Sequence, residues 1–167
     1  MPNYYFIVNP TSGRGKAKQS AELLKEKLIQ RRVDYDIVFT KKPMHAQDLA
    51  AQAARKFDVI VIVGGDGTIQ EVLNGMVGSN AAFGILPLGS GNDFVRAVPI
   101  PAHLDNSLDI LLRDRRKRID LAKVNDRIYH NGVGVGFDAW AVHTGNKVNW
   151  LRGNAIYLYA VLHTLIN

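Results

Sequence analysis

The sequence has no cysteine among its 167 residues, so disulfide bonds, thiolate metal sites and a cysteine nucleophile are excluded for this chain. It also lacks an apolar run of the roughly 20 residues that a membrane-spanning helix needs. The apolar tract at residues 155–166 is too short, and the N-terminus has no basic segment typical of a secretory signal. These absences lead us to expect a cytoplasmic protein that is at most peripherally associated with membranes.

Two common nucleotide-binding patterns are missing as well. The Walker A pattern needs glycine at position 10 and serine or threonine at position 17, where the chain has Pro10 and Ala17. The glycines of residues 64–67 and 132–136 do not fit the Rossmann pattern GxGxxG. The five histidines show no metal-ligand spacing. A dinucleotide oxidoreductase and a histidine metal centre are therefore disfavoured.

Positive charge is in excess, since 21 Lys and Arg residues face 15 Asp and Glu residues, which gives a net charge of +6. Such a balance suits nucleic acid, an acidic membrane surface or phosphorylated small molecules, and it does not choose among them. The basic run at residues 113–118 is typical of a solvated connection. Its functional alternative is contact with anionic lipid headgroups.

Short β-rich runs alternate with helical patterns over residues 1 to about 90, and this spacing favours a parallel sheet covered by helices on both faces. Within the expected strand at residues 58–63, residues 59–63 are apolar throughout, as a central parallel strand should be. The expected strands cover residues 4–8, 34–40, 58–63 and 82–86, and the expected helices cover 16–31, 46–57 and 68–77.

The pattern changes near Pro99 and Pro101, and a further helix is expected over residues 102–113. Two alternating segments around Asn125 and Asp126 then predict an antiparallel hairpin, followed by helices to the end of the sequence. We therefore expect an α/β domain at residues 1–112 and the incomplete beginning of a β-rich lobe at residues 113–167, since a hairpin alone is not a stable sheet.

The central strand runs directly into Gly64-Gly65-Asp66-Gly67-Thr68. Ligands of parallel sheets bind beyond the carboxyl ends of the strands, where glycines let the backbone approach an anion at a helix N-terminus. A carboxylate in an anion site implies a cation such as Mg²⁺, or a proton acceptor for a hydroxyl group. The alternative is that Asp66 is only the N-cap of the following helix.

Two other strand ends carry similar loops, at residues 9–16 and 88–94. Each offers glycines and small polar side chains before a helix. Because parallel strands end at the same edge of their sheet, the three loops predict one site, which we call the phosphate crevice.

Four segments in this order resemble the diacylglycerol kinase catalytic-domain family, which includes bacterial lipid kinases, sphingosine kinases and ceramide kinases. They are NPTSG at residues 9–13, VGGDGTIQEVLNG at 63–75, GILPLGSGNDFVRA at 84–97 and NGVGVGFDA at 131–139. GGDGT alone would also fit NAD kinases and, more loosely, phosphofructokinases. The resemblance implies a three-layer α/β nucleotide domain, similar to that of NAD kinases and phosphofructokinases, followed by a β-sandwich lobe.

The implied activity is phosphorylation of a lipid hydroxyl by ATP with Mg²⁺. The implied partners are diacylglycerol or a similar lipid and an anionic membrane surface. Nucleic acid is not among them, and a homodimer is compatible with the resemblance. Gln70 stands where asparagine is commoner in the family, and Ser90 where many relatives have threonine. The nucleotide-binding residues implied are Asn9, Thr11, Ser12, Thr40, Gly64, Gly65, Asp66, Gly67, Thr68, Ile69, Gln70, Ser90 and Asn92, with Asp66 also the candidate metal ligand.

Family members are longer than this chain and carry their catalytic acid and a structural metal site in the C-terminal half. The chain is therefore expected to be the N-terminal part of a lipid kinase, with no catalytic residue of its own and no activity by itself. Asp66 is the fallback base. The alternatives are a kinase of the NAD kinase type, in which this carboxylate would be the base, and a nucleotide-binding module without turnover.

Overall fold

The apolar segment at residues 59–63 lies in an inner strand of a parallel sheet. The computed structural model describes residues 2–88, 92–148 and 154–166. Its four-stranded sheet has the order β2-β1-β3-β4, with every pairing parallel. The strands are β1 (Tyr4–Val8), β2 (Tyr35–Phe39), β3 (Val59–Gly64) and β4 (Ala82–Pro87). All of β3 is buried because it has a neighbouring strand on each side and helices over both faces.

In the part of the chain that the structure describes, five helices cover the sheet, and the predicted three-layer α/β architecture is confirmed. They are α1 (Lys16–Gln30), α2 (His45–Ala53), α3 (Asp66–Gly75), α4 (Asp93–Ala97) and α5 (Leu104–Leu112). Successive side chains of a strand point to opposite faces of the sheet. Val61 therefore packs in one core cluster with residues of α1 and α5, whereas Ile60 and Ile62 pack in another with residues of α2, α3 and α4.

The predicted hairpin is present. Strands β5 (Ala122–Val124) and β6 (Arg127–Tyr129) pair antiparallel around the turn at Asn125 and Asp126. Asn125 has a φ of 52°, a left-handed conformation that asparagine tolerates better than most residues.

The chain divides into two compact units, Met1–Asn131 and Gly132–Asn167. The second unit contains α6 (Phe137–Asn146) and α7 (Asn154–Ile166), as the helical pattern of this segment predicts. The hairpin belongs to the first unit, and the division into functional domains at residues 1–112 and 113–167 stays a prediction. Within the described ranges, no helix combines the length and the apolar character needed to cross a bilayer.

Candidate active site

The carboxyl ends of three strands lie side by side. Val8 is paired with Val63, and Gly64 is paired with Pro87, so the loops after β1, β3 and β4 leave the sheet at one edge. The predicted convergence of these loops is therefore present in the structure as far as the described residues extend.

Asn9 joins the first loop to the glycine loop. Its Nδ2 donates a hydrogen bond to Oγ1 of Thr68 at 3.0 Å, and its Oδ1 accepts from the backbone N–H and the hydroxyl of Thr11 at 3.1 and 2.8 Å. A Cβ atom at Gly64 would lie 2.7 Å from Oγ1 of Thr68, closer than real Cβ atoms come. Glycine at position 64 is thus needed for Thr68 to reach Asn9.

Gly13 joins the first loop to the loop after β4. Its φ of 59° lies in the left-handed region, where glycine is favoured over residues with a Cβ atom. A Cβ atom here would also overlap the carbonyl oxygen of Leu88. The backbone of Gly13 can therefore pack against the carbonyl group of Leu88, which follows β4, only because Gly13 has no side chain.

Asp66 joins the glycine loop to α4. Its two carboxylate oxygens accept hydrogen bonds from the backbone N–H groups of Asp93 and Phe94, each at 3.2 Å. The N-cap of α3 is Gly65, and Asp66 lies in the first turn of that helix, so the alternative in which Asp66 caps its own helix is wrong. The Cα–Cβ bonds of a helix tilt towards its N-terminus, which brings this carboxylate to the start of the neighbouring α4 instead.

A cavity of about 430 Å³ lies beside these loops, near the ends of β1 and β2. Its volume is in the range of small-molecule sites, about 300–1,000 Å³. The side chain of its only lining carboxylate among the residues described, Glu71, accepts the backbone N–H of Ala46 at 3.1 Å. The lining residues are Asn9, Pro10, Thr11, Thr40, Lys41, Lys42, Pro43, Ala46, Thr68 and Glu71.

The cavity brings together four of the predicted nucleotide-binding residues, Asn9, Thr11, Thr40 and Thr68. Sequence reasoning missed Lys41 and Lys42, although they follow β2 at the same edge of the sheet and the strand-end rule would have included them. The two ammonium groups outnumber the single carboxylate of the lining and favour an anionic ligand.

The remaining predicted residues are placed differently. Ser12 begins the turn that contains Gly13, and Asn92 is the N-cap of α4 with a φ of 55°. A Cβ atom at Gly67 would meet no other atom within 4 Å, so the first turn of α3 is open at this point. Ile69 is fully buried in the core, and Ser90 lies outside the described residues.

Gln70 is turned towards the hairpin. Its Nε2 donates to the carbonyl oxygen of Ile128, and its Oε1 lies 3.0 Å from Nδ1 of His130. Asn74, one helical turn further on, donates to the same carbonyl at 3.0 Å and accepts the N–H of Ile128 at 3.1 Å. These two amide side chains hold β6 against α3.

His130 was missed by the sequence analysis, where its isolated position between strand residues and glycines gave no metal or catalytic pattern. Its ring contacts Phe94 edge-on, with centroids 5.3 Å apart. Burial lowers the pKa of His130, and the negative charge of Asp66 opposes that shift. Its Nε2 atom is buried and has no hydrogen-bond partner among the described residues.

Asp66 remains the candidate ligand for Mg²⁺. Among the residues placed by the structure, no cluster of three or more His, Cys, Asp or Glu side chains could hold a metal ion. Mg²⁺ is usually bound through one or two carboxylates together with substrate phosphates. The Asp66 carboxylate fits that role, because each of its oxygens accepts one N–H and keeps further acceptor capacity.

Comparison with known proteins gives the family. A diacylglycerol kinase of Staphylococcus saprophyticus is 33% identical over 155 residues, which cover 90% of this chain and 51% of the relative. A diacylglycerol kinase of Mycobacterium tuberculosis is 30% identical over 169 residues, covering 95% and 54%. The chain thus spans about half the length of these curated relatives.

A solved structure agrees with this assignment. The crystal structure of a diacylglycerol kinase from Bacillus anthracis is similar, with 29% sequence identity and a TM-score of 0.68. The match covers 76% of this chain and 49% of the Bacillus anthracis chain. The family model of the diacylglycerol kinase catalytic domain matches residues 3–124. The chain therefore belongs to the diacylglycerol kinase catalytic-domain family.

Proposed function

We propose that the protein containing this chain is a lipid kinase that transfers the γ-phosphoryl group of ATP to a hydroxyl group of diacylglycerol or a similar lipid. The observation that carries the proposal is the joining of three strand-end loops beside a cavity of the size of a small-molecule site. Asn9 bonds Thr68, Gly13 rests on Leu88, and Asp66 bonds the start of α4. Family membership supports a lipid kinase over one of the NAD kinase type.

In this proposal the chain binds and orients the nucleotide. The backbone N–H groups of Asp66 and Gly67 at the start of α3 have no acceptor within their own helix and can bind phosphate oxygens, whereas those of Thr68 and Ile69 donate to the carbonyl oxygen of Gly65. Thr40, Lys41 and Lys42 lie along the cavity and offer a hydroxyl and two ammonium groups to the rest of the nucleotide. Mg²⁺, when bound with ATP, supplies charge neutralisation, and Asp66 is the residue that would hold it.

The remaining parts of the proposal concern the catalytic base and the contact with the membrane. Because the chain spans about half of its relatives, we place the catalytic base outside residues 1–167 and expect no lipid phosphorylation by this chain alone. The exposed basic segment at residues 113–118 provides charge for an anionic membrane surface. Cytoplasmic location, peripheral membrane association and a homodimer stay predictions.

Calorimetric titration of the chain with Mg·ATP tests the nucleotide site. We expect weak binding that is lost in the double variant Gly65→Val, Asp66→Ala and kept in Asp48→Ala, which changes an exposed acidic residue in the first turn of α2. Circular dichroism and the melting temperature of each variant show whether it has folded. Equal affinity in the folded double variant would place the nucleotide elsewhere.

A kinase assay tests the acceptor. Radiolabelled ATP is offered with diacylglycerol, sphingosine or NAD, once to this chain and once to the full-length protein. We expect phosphatidic acid from the full-length protein and no product from the chain. Phosphatidic acid formed by the chain would overturn this expectation, and its loss in an Asp66→Asn variant that still folds and binds Mg·ATP would make Asp66 the base. Labelled NADP would support the NAD kinase alternative.

A further inference from the structure

We propose that His130 is a positioning residue of the phosphate crevice. Through Gln70 on α3 and Phe94 on α4, it holds together the two helices between which the Asp66 carboxylate is fixed. The effect that this positioning role has on ligand binding rests on the proposed function, in which the phosphate crevice binds Mg·ATP.

The contacts of Gln70 determine which nitrogen of His130 carries the proton. The amide Nε2 of Gln70 donates to the carbonyl oxygen of Ile128, so the amide oxygen is the atom that faces His130. An amide oxygen only accepts hydrogen bonds, and Nδ1 of His130 must therefore donate. The proton is thus assigned to Nδ1 by the hydrogen-bond pattern, and Nε2 is left with a lone pair.

That lone pair is buried, and no residue that the structure describes donates to it. A buried acceptor without a partner is unfavourable for the folded state. A phenylalanine at position 130 could make the same edge-on contact with Phe94 without this cost. Packing alone therefore does not account for an imidazole here, whereas the hydrogen bond from Nδ1 to Gln70 does.

Four residues form a closed circuit of contacts. The carboxylate of Asp66 accepts the N–H of Phe94, the ring of Phe94 contacts the ring of His130, and His130 donates to Gln70. Gln70 lies four residues after Asp66, which places both on one face of α3. The backbone of α3 connects Gln70 to Asp66 and closes the circuit. Loss of the bond between His130 and Gln70 therefore removes one of the contacts that hold α4 in place for its bond to Asp66.

Three variants separate the hydrogen bond from the ring. His130→Phe keeps a ring beside Phe94 and removes the donor. His130→Asn places an amide donor close to the position of Nδ1. His143→Phe is the matched control, because the ring of His143 makes a similar edge-on contact with Trp140, at 5.8 Å between centroids, in the second compact unit.

The first measurement is a ¹⁵N–¹H NMR spectrum of the full 167-residue chain without ligand. In the wild type we expect a proton on Nδ1 of His130 and an unprotonated Nε2. The amide signals of Asp93 and Phe94 should shift in His130→Phe, return towards the wild-type positions in His130→Asn and stay unchanged in His143→Phe. Gln70→Leu removes the other partner of the bond between His130 and Gln70, and it should also shift the amide signals of Asp93 and Phe94. This variant keeps the test possible if His130→Phe fails to fold.

The second measurement is calorimetric titration with Mg·ATP. We expect His130→Phe to weaken binding about tenfold, the usual order for the loss of a group that orients a ligand-contacting residue. His130→Asn should recover most of that loss. A double variant of His130→Phe and Gln70→Leu should bind no more weakly than Gln70→Leu alone, because Gln70→Leu already breaks the bond to His130 together with the bond to Ile128.

The two measurements distinguish failure of the proposed function from failure of the positioning role. If Mg·ATP does not bind the wild type, the proposed function fails, and the amide signals still decide whether His130 positions Asp66. If the signals of Asp93 and Phe94 are unchanged in both His130→Phe and Gln70→Leu, the positioning role is overturned. It is also overturned if the wild type binds Mg·ATP and His130→Phe binds it equally well.

Discussion

Replacing Asp66 by alanine removes a carboxylate that accepts two backbone N–H groups at the start of α4, each at 3.2 Å. Loss of a capping side chain usually costs about 0.5–2 kcal/mol, and a negative charge at a helix N-terminus contributes about 0.3–1 kcal/mol. Asp66 is only partly buried and both bonds are long, so we expect the free energy of unfolding to fall by about 1 kcal/mol. Asp66→Asn keeps an acceptor and loses the charge, and its effect should be smaller.

Urea unfolding followed by circular dichroism measures this difference, and the melting temperature should fall by about 2–4 °C for a chain of this size. Hydrogen exchange at the amides of Asp93 and Phe94 should accelerate more than exchange in β3. Asp48→Ala is the control, because this exposed carboxylate also lies in the first turn of a helix. Unfolding curves and exchange rates of Asp66→Ala that match the wild type would show that the carboxylate does not hold α4.

Three other changes test further parts of the structure. Gly64→Ala should cost about 1–3 kcal/mol of stability and weaken Mg·ATP binding, because the new Cβ would lie 2.7 Å from Thr68 Oγ1. Equal stability and affinity would contradict this, and Gly67→Ala, where a Cβ meets nothing within 4 Å, is the control for stability. Burial lowers the pKa of His130, so the unfolded chain binds a proton at this residue before the folded chain does as pH falls below about 6.5. The free energy of unfolding measured in urea titrations should therefore drop in that pH range, and it should drop less in His130→Phe. Equal pH slopes in the two proteins would contradict a lowered pKa of His130. Binding to vesicles with anionic lipid should weaken as salt rises and fall further in Arg115→Ala, Lys117→Ala; equal binding to neutral vesicles would argue against a charge-driven contact.

The sequence was most informative where a single physical requirement decided the structure. Residues 59–63 are apolar throughout, as is typical of a strand covered on both faces, so β3 and the parallel sheet could be predicted. The strand-end rule then predicted where the candidate site lies without any knowledge of contacts. Helix α3 begins at Asp66, two residues before the expected start, because the glycine loop already turns into the helix there.

The contacts within the site could not be predicted, because they depend on which distant residues meet. Gln70 was assigned to the nucleotide on family resemblance, and its side chain is bonded to Ile128 and His130, which are 58 and 60 residues further along the chain. Asp66 was expected to act within its own loop, and its carboxylate bonds amides 27 and 28 residues away. No local pattern encodes such pairs.

These long-range bonds give the carboxylate of Asp66 a role that does not require catalysis. A residue that holds α4 in place would be needed for nucleotide binding even if the base lies elsewhere in the protein, so loss of activity in Asp66→Asn cannot by itself identify a base. The separation comes from comparing stability and affinity with turnover in the full-length protein. A base variant should fold and bind Mg·ATP normally and lose only the phosphoryl-transfer step, whereas a variant that frees α4 should lose stability and affinity together. The bonds of Asp66 to Asp93 and Phe94 lead us to expect the second pattern.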